Sequence, residues 1–152
     1  SVAWKPVMKF SEAISGKAIT GRFLPGTITN PLFPGYFEPE IIIITDPMVD
    51  TQAVEEAVKM RIPIVALCDT SNETSAIDFV IPVNNKGRKS LATVYWLLAR
   101  EILKNRGAIA SYEDFKIKAE EFESEEIDRE RERSDRPRRE MGGRRRDNNF
   151  RR

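Results

Sequence analysis

Two rhythms of apolar residues run along this chain, one of helical spacing and one of short continuous runs. Between Lys5 and Ser15 the apolar positions Val7, Phe10, Ala13 and Ile14 recur every three or four residues, and Pro6 suits a first turn. This predicts a helix stopped by Gly16. Lys17 to Thr20 reads as a short strand. The rhythm then lapses over GRFLPGTITNPLFPGYFEPE, residues 21–40, where four prolines and three glycines predict a long, shaped loop. Its interleaved aromatics, among them Phe23, Phe33 and Phe37, favour an ordered surface over disorder.

IIIIT, residues 41–45, is apolar at consecutive positions and β-branched, as a strand covered on both faces requires. Asp46 and Pro47 close it. A helix is expected over Thr51 to Met60, capped by Asp50, with Ala53, Val54, Ala57 and Val58 on its buried face. IVALC, residues 64–68, is a second all-apolar strand, so the pair forms a βαβ unit with a right-handed crossover. DTSNETSAID is a polar loop and Phe79 to Val83 a third strand. After NNKGRKS the longest helix carries one stripe, Leu91, Val94, Tyr95, Leu98 and Ile102, ending at Gly107. Tyr112 to Phe122 is expected to form one further short helix. The fold class is therefore α/β with a mostly parallel sheet, in a domain of residues 1–122. A chain that opens on a helix lacks the strand that βαβ logic places before it. Either a preceding portion of the fold lies outside this sequence, or something else completes the sheet edge.

Composition changes this picture in two ways. The chain of 152 residues carries a net charge of only +1, yet the charge is segregated. Residues 1–110 hold 12 basic and 11 acidic side chains, residues 119–132 hold 2 and 8, and residues 133–152 hold 9 and 3. A neutral body is followed by an acidic neck and a basic end. Residues 123–152 have almost no apolar positions and are expected to be a disordered, charged tail. The second change is an exclusion: with no histidine and one cysteine, the chain has no disulfide of its own and none of the histidine-based catalytic or zinc constellations. Cys68, inside IVALC, reads as a small buried hydrophobe, which fits a reducing cytoplasm. No apolar run approaches the roughly 20 residues that span a bilayer, and SVAWKPVMKF has no signal-peptide pattern, so no membrane is expected as a partner.

Chemistry is expected at the carboxyl ends of the strands, where open parallel sheets gather their ligands. Asp46 and Asp69 each follow a strand. Either they accept a phosphoryl group or hold a metal, as a small phosphoacceptor or metal-dependent enzyme requires, or they close turns, the reading their residue type favours. No phosphate-binding glycine motif follows any strand, so no nucleotide cofactor is expected. NNKGRKS brings Asn84, Asn85, Lys86, Gly87, Arg88 and Lys89 to a helix N-terminus. Cations there oppose the helix dipole unless an anion such as a phosphate offsets them; the alternative is a solvated helix start. GRFLPGTITN joins Arg22 and Phe23 to Pro25, Gly26, Thr27, Thr29 and Asn30, a mixture of cation, ring and hydroxyl or amide donors that suits irregular RNA. In the basic end, Arg138, Arg139, Arg144, Arg145 and Arg146 form an arginine-rich, glycine-spaced segment, either a nonspecific nucleic-acid binder or a solvated tail.

Taken together, GRFLPGTITNP, PEIIIITDPMVDTQAVEEAVKMRIPIVALCDTSN and IDFVIPVNNKGRKSLATVYWLLAREIL resemble the S-two family of small-subunit ribosomal proteins, in its archaeal and eukaryotic (SA, laminin-receptor-precursor-like) branch. The likeness covers about residues 4–107 in the family's order. It implies a flavodoxin-like parallel sheet with helices on both faces and a structural constituent of the small ribosomal subunit. The implied partners are small-subunit ribosomal RNA and neighbouring ribosomal proteins, with no catalysis, no cofactor, no metal and no small-molecule substrate. The contact positions it implies are Arg22, Phe23, Pro25, Gly26, Thr27, Thr29 and Asn30, and Asn84 to Lys89. Family members carry two further strands before this segment, in line with the missing strand noted above.

Overall fold

The computed structural model describes residues 3–123. Its elements are α1 (Trp4–Ile14), β1 (Ile42–Ile44), α2 (Thr51–Met60), β2 (Ile64–Cys68), β3 (Phe79–Pro82) and α3 (Arg88–Asn105), followed by 3₁₀ turns at Tyr112–Asp114 and Ala119–Phe122. The three strands form one parallel sheet in the order β1-β2-β3, with Ile42 opposite Ile64 and Val65 opposite Phe79. The expected α/β class with helices on both faces is what is seen.

Alternation along the strands splits the interior in two. Ile64, Ala66 and Cys68 of β2 point to the α2 face, where they pack with Ile28, Ile44, Ala53 and Ala57. Leu67 points to the other face, into a cluster with Phe10 of α1 and Leu91, Ala92, Tyr95 and Ala99 of α3. Phe122 is fully buried in that second cluster, so the chain beyond α3 folds back onto α1 and α3.

Several local expectations are corrected. Lys17 to Thr20 is not a strand: it has no pairing partner among the described residues, and two glycines bracket its four residues. Helix α1 ends on Ser15, which takes the left-handed conformation (φ 57°) expected of Gly16. Tyr112 to Phe122 is two single turns, not one helix. The Trp96 indole N–H donates to the Ile117 carbonyl at 2.6 Å, while Phe115 packs on the Trp96 ring with centroids 5.9 Å apart. These contacts hold residues 115–118 as an irregular link between the turns. Asp50 sits at the N-cap of α2 but makes no side-chain cap bond.

The buried face of α2 is also rotated from the expected one. Val58 is 52 % exposed, and Glu56 is buried at 2 % exposure beside Ala53 and Ala57. The Glu56 carboxylate accepts the Gly26 N–H (2.7 Å), the Ile28 N–H (3.3 Å), the Thr29 hydroxyl (3.1 Å) and the Gln52 amide (3.0 Å). Burial by itself raises the Glu56 pKa, but these donors, led by the Gly26 N–H, outweigh it and hold the carboxyl below its ordinary 4.5. Gly26 has φ +91°, a conformation that lets the backbone turn its N–H towards Glu56 and that a side chain strains. One carboxylate thereby fastens the loop of residues 24–30 onto α2.

Phe122→Ala is expected to lower stability by about 3–5 kcal/mol in urea unfolding, the cost of emptying an aromatic core site; a loss below about 1 kcal/mol would show that the 119–122 turn is not part of the core. Glu56→Ala leaves three loop donors unpaired and is expected to cost about 2–4 kcal/mol. Because the folded pKa lies below the unfolded one, the charged Glu56 contributes in full above the ordinary carboxyl range and loses that contribution as pH falls through the folded value. The unfolding-midpoint gap between the parent and Glu56→Gln should therefore narrow as pH falls below the ordinary 4.5, and a constant gap contradicts the assignment.

Candidate nucleic-acid interface

Each parallel strand ends in an Asx turn, in which a side-chain oxygen accepts a backbone N–H two residues on. After β1, Asp46 Oδ1 accepts the Met48 N–H (3.0 Å); after β2, Asp69 Oδ1 accepts the Ser71 N–H (2.6 Å); after β3, Asn84 Oδ1 accepts the N–H groups of Lys86 and Gly87 (3.0 Å each). The three turns are then tied together. Asn85 Nδ2 donates to the Leu67 carbonyl and to Asn72 Oδ1, both at 2.9 Å, and Asn72 Nδ2 donates to Asp46 Oδ1 at 2.9 Å. The Asp69 N–H also donates to Asn72 Oδ1 at 2.9 Å.

This bracing sets the start of α3. Gly87 is the N-cap, no side chain caps the helix, and its first turn holds no acidic residue. Lys86 lies 3.4 Å from Asp69 Oδ2 and 3.0 Å from Ser71 Oγ, while Lys89 is exposed. Hydrogen bonds from Ser71 and the Lys86 charge hold the Asp69 carboxyl below its ordinary range. Lys89, and Lys86 with Asp69 beside it, therefore stand where the helix dipole itself favours an anion.

The sequence motifs divide sharply here. Asn84 and Asn85 build the turn; Lys86 and Lys89 face outwards; Gly87 and Arg88 are half-buried at the helix start. In the first motif Gly26 and Thr29 are held by Glu56, Thr27 is buried and donates to the Leu24 carbonyl at 2.6 Å, and Asn30 Oδ1 accepts the Leu32 N–H at 3.1 Å. Phe23 packs against the cluster on the α2 face, as Phe37 does. Arg22 and Pro25 are exposed. Asp46 and Asp69 both spend carboxylate oxygens on closing loops, and among the described residues no three His, Cys, Asp or Glu side chains group to hold a metal ion. Arg138, Arg139, Arg144, Arg145 and Arg146 lie outside the described residues.

Two organising residues escaped the sequence motifs. Glu56 sits between Ala53 and Ala57 on the buried stripe, so the only signal was a carboxylate out of place among alanines. Asn72, in a polar loop, carried no signal until the three strand ends were brought together.

Residues 36–105 match the family model described as Ribosomal protein S2. The chain is 60 % identical over 121 residues to the small ribosomal subunit protein uS2 of Picrophilus torridus, covering 80 % of this chain and 60 % of that relative. It is 58 % identical over 123 residues to the protein of the same name from Thermoplasma acidophilum, covering 81 % and 62 %. With that of Staphylothermus marinus it shares 55 % identity over 119 residues, covering 78 % and 54 %. The chain thus spans about 60 % of the length of the curated relatives it matches. Over this shared stretch, which includes the strand-end turns and the helix that follows them, the chain is similar to the ribosomal protein S2 family.

Proposed function

We propose that this protein is a structural constituent of the small ribosomal subunit in the cytoplasm, binding small-subunit ribosomal RNA and neighbouring ribosomal proteins without turnover. The relatives' shared name supports the particle; the β3–α3 turn supports the RNA contact. One observation carries the reading. Helix α3 opens with Lys86, Arg88 and Lys89 around an N-terminus that has no acidic residue in its first turn and no side-chain cap. Cations at that end of a helix are unfavourable alone and favourable with a phosphate among them. Asn84, Asn85 and Asn72 hold the turn before any ligand arrives, so little ordering cost is left for binding. Arg22, exposed on the first loop, is the further cation this reading assigns to RNA.

The product of such a site is position. Phosphate contacts fix register and orientation without reading bases, which is what a particle component requires. Replacing Lys86, Arg88 and Lys89 together by alanine should leave the unfolding midpoint near that of the parent. It should also weaken binding to a small-subunit RNA fragment and make the slope of log K against log salt shallower by about 1 for each phosphate no longer neutralised. An unchanged slope removes this turn from the interface.

A further inference from the structure

Beside the cationic turn lies a cleft of opposite character, about 500 Å³ in volume, whose lining includes Trp4, Asp46, Val49, Asp50, Asn85 and Lys86. Its polar side chains offer mainly acceptors. Asp50 is half-buried at the start of α2 without a cap bond, and burial together with the neighbouring Asp46 charge raises its pKa. Asn85 is 4 % exposed, and its Nδ2 is spent on Leu67 and Asn72, neither of which lines the cleft. The other end of that amide, Oδ1, is buried and has no hydrogen-bond partner among the described residues. Lys86 does not neutralise the pair, because its ammonium is turned to Asp69 and Ser71.

Two carboxylates and an orphan carbonyl oxygen repel phosphate and call for a cation with several donors. A bare metal ion fits poorly: no group of three or more carboxylate, thiol or imidazole ligands exists among the described residues, and the space is far larger than an ion. The rim is apolar and open, with Trp4 51 % and Val49 77 % exposed. An apolar stem carrying a planar head with five N–H donors matches both parts. We propose that the cleft receives an arginine side chain of a neighbouring protein, its guanidinium set against Asp46 and Asp50 and donating to Asn85 Oδ1. This end of the sheet is then divided, the β3–α3 turn facing RNA and the cleft beside it facing protein. The identity of the neighbour as a particle component rests on the function proposed above; the binding of arginine does not.

The test is a titration of the full chain with the blocked amino acid N-acetyl-arginine amide, followed by backbone amide NMR shifts. Saturable shifts at Asp50, Asn85 and Lys86 are expected, at least tenfold weaker for the uncharged isostere N-acetyl-citrulline amide and for N-acetyl-lysine amide. Asp50→Asn should weaken the arginine response at least tenfold. Val49→Lys, a change at an exposed rim position, should weaken it at least threefold with the fold intact. Equal responses from arginine and citrulline, an undiminished response in both variants, or displacement of arginine by millimolar magnesium would overturn the proposal. The Lys86, Arg88 and Lys89 triple alanine variant separates the two readings. An arginine response in the parent together with an RNA salt slope unchanged by the triple variant refutes the RNA turn alone, and no arginine response in the parent together with a shallower slope in that variant refutes the cleft alone.

Discussion

Parallel strands deliver their loops to one end of a sheet but supply no backbone pairing to hold those loops together. Everything at the functional end of this protein depends on how that gap is filled. Here the answer is side-chain amides: Asn85 reaches the Leu67 carbonyl on the central strand, and Asn72 joins Asn85 to Asp46. Because β2 lies between its neighbours, a bond to Leu67 refers the β3–α3 turn to the most fixed element available. The cations that follow inherit that reference.

The same logic repeats at the first loop with a carboxylate in place of an amide. Residues 24–30 lie in no strand or helix; the N–H groups of Thr27 and Asn30 find loop carbonyls, and a buried acid on α2 accepts those of Gly26 and Ile28. A buried charge is costly unless well donated to, and Glu56 receives four donors. Loop and helix therefore form one unit. Thr27 and Thr29, which read as ligand donors in a linear motif, belong to that unit, and the outward chemistry of the loop falls to Arg22 and Pro25.

These pairings explain what the sequence disclosed. The apolar runs at Ile42–Ile44 and Ile64–Cys68 were legible because burial on both faces makes every position apolar, and the stripe from Leu91 to Ile102 because burial on one face imposes a period. Lys17 to Thr20 and Tyr112 to Phe122 were misread because their conformations are set by distant partners or the lack of them, Trp96 in the second case. The α2 face was read as Val58 where it is Glu56, since hydrophobic patterning has no way to value a carboxylate that meets its donors some thirty residues earlier. Candidate motifs were legible as segments. Their division into bracing residues such as Asn85 and outward ones such as Lys89 was not, because both are polar side chains in one short stretch.

Cys68 closes the central strand inside the α2-side cluster, just before the Asp69 turn. Burial first, then the negative charges of Asp46 and Asp69, push its thiol above the ordinary 9.0. Thiolate is the reactive species, so the native state shields its one sulfhydryl both sterically and electrostatically. Alkylation then proceeds only through opened molecules, and its rate under reagent excess counts how often the centre of the sheet comes apart. The chain carries its own clock for local opening, requiring no label and no engineered site.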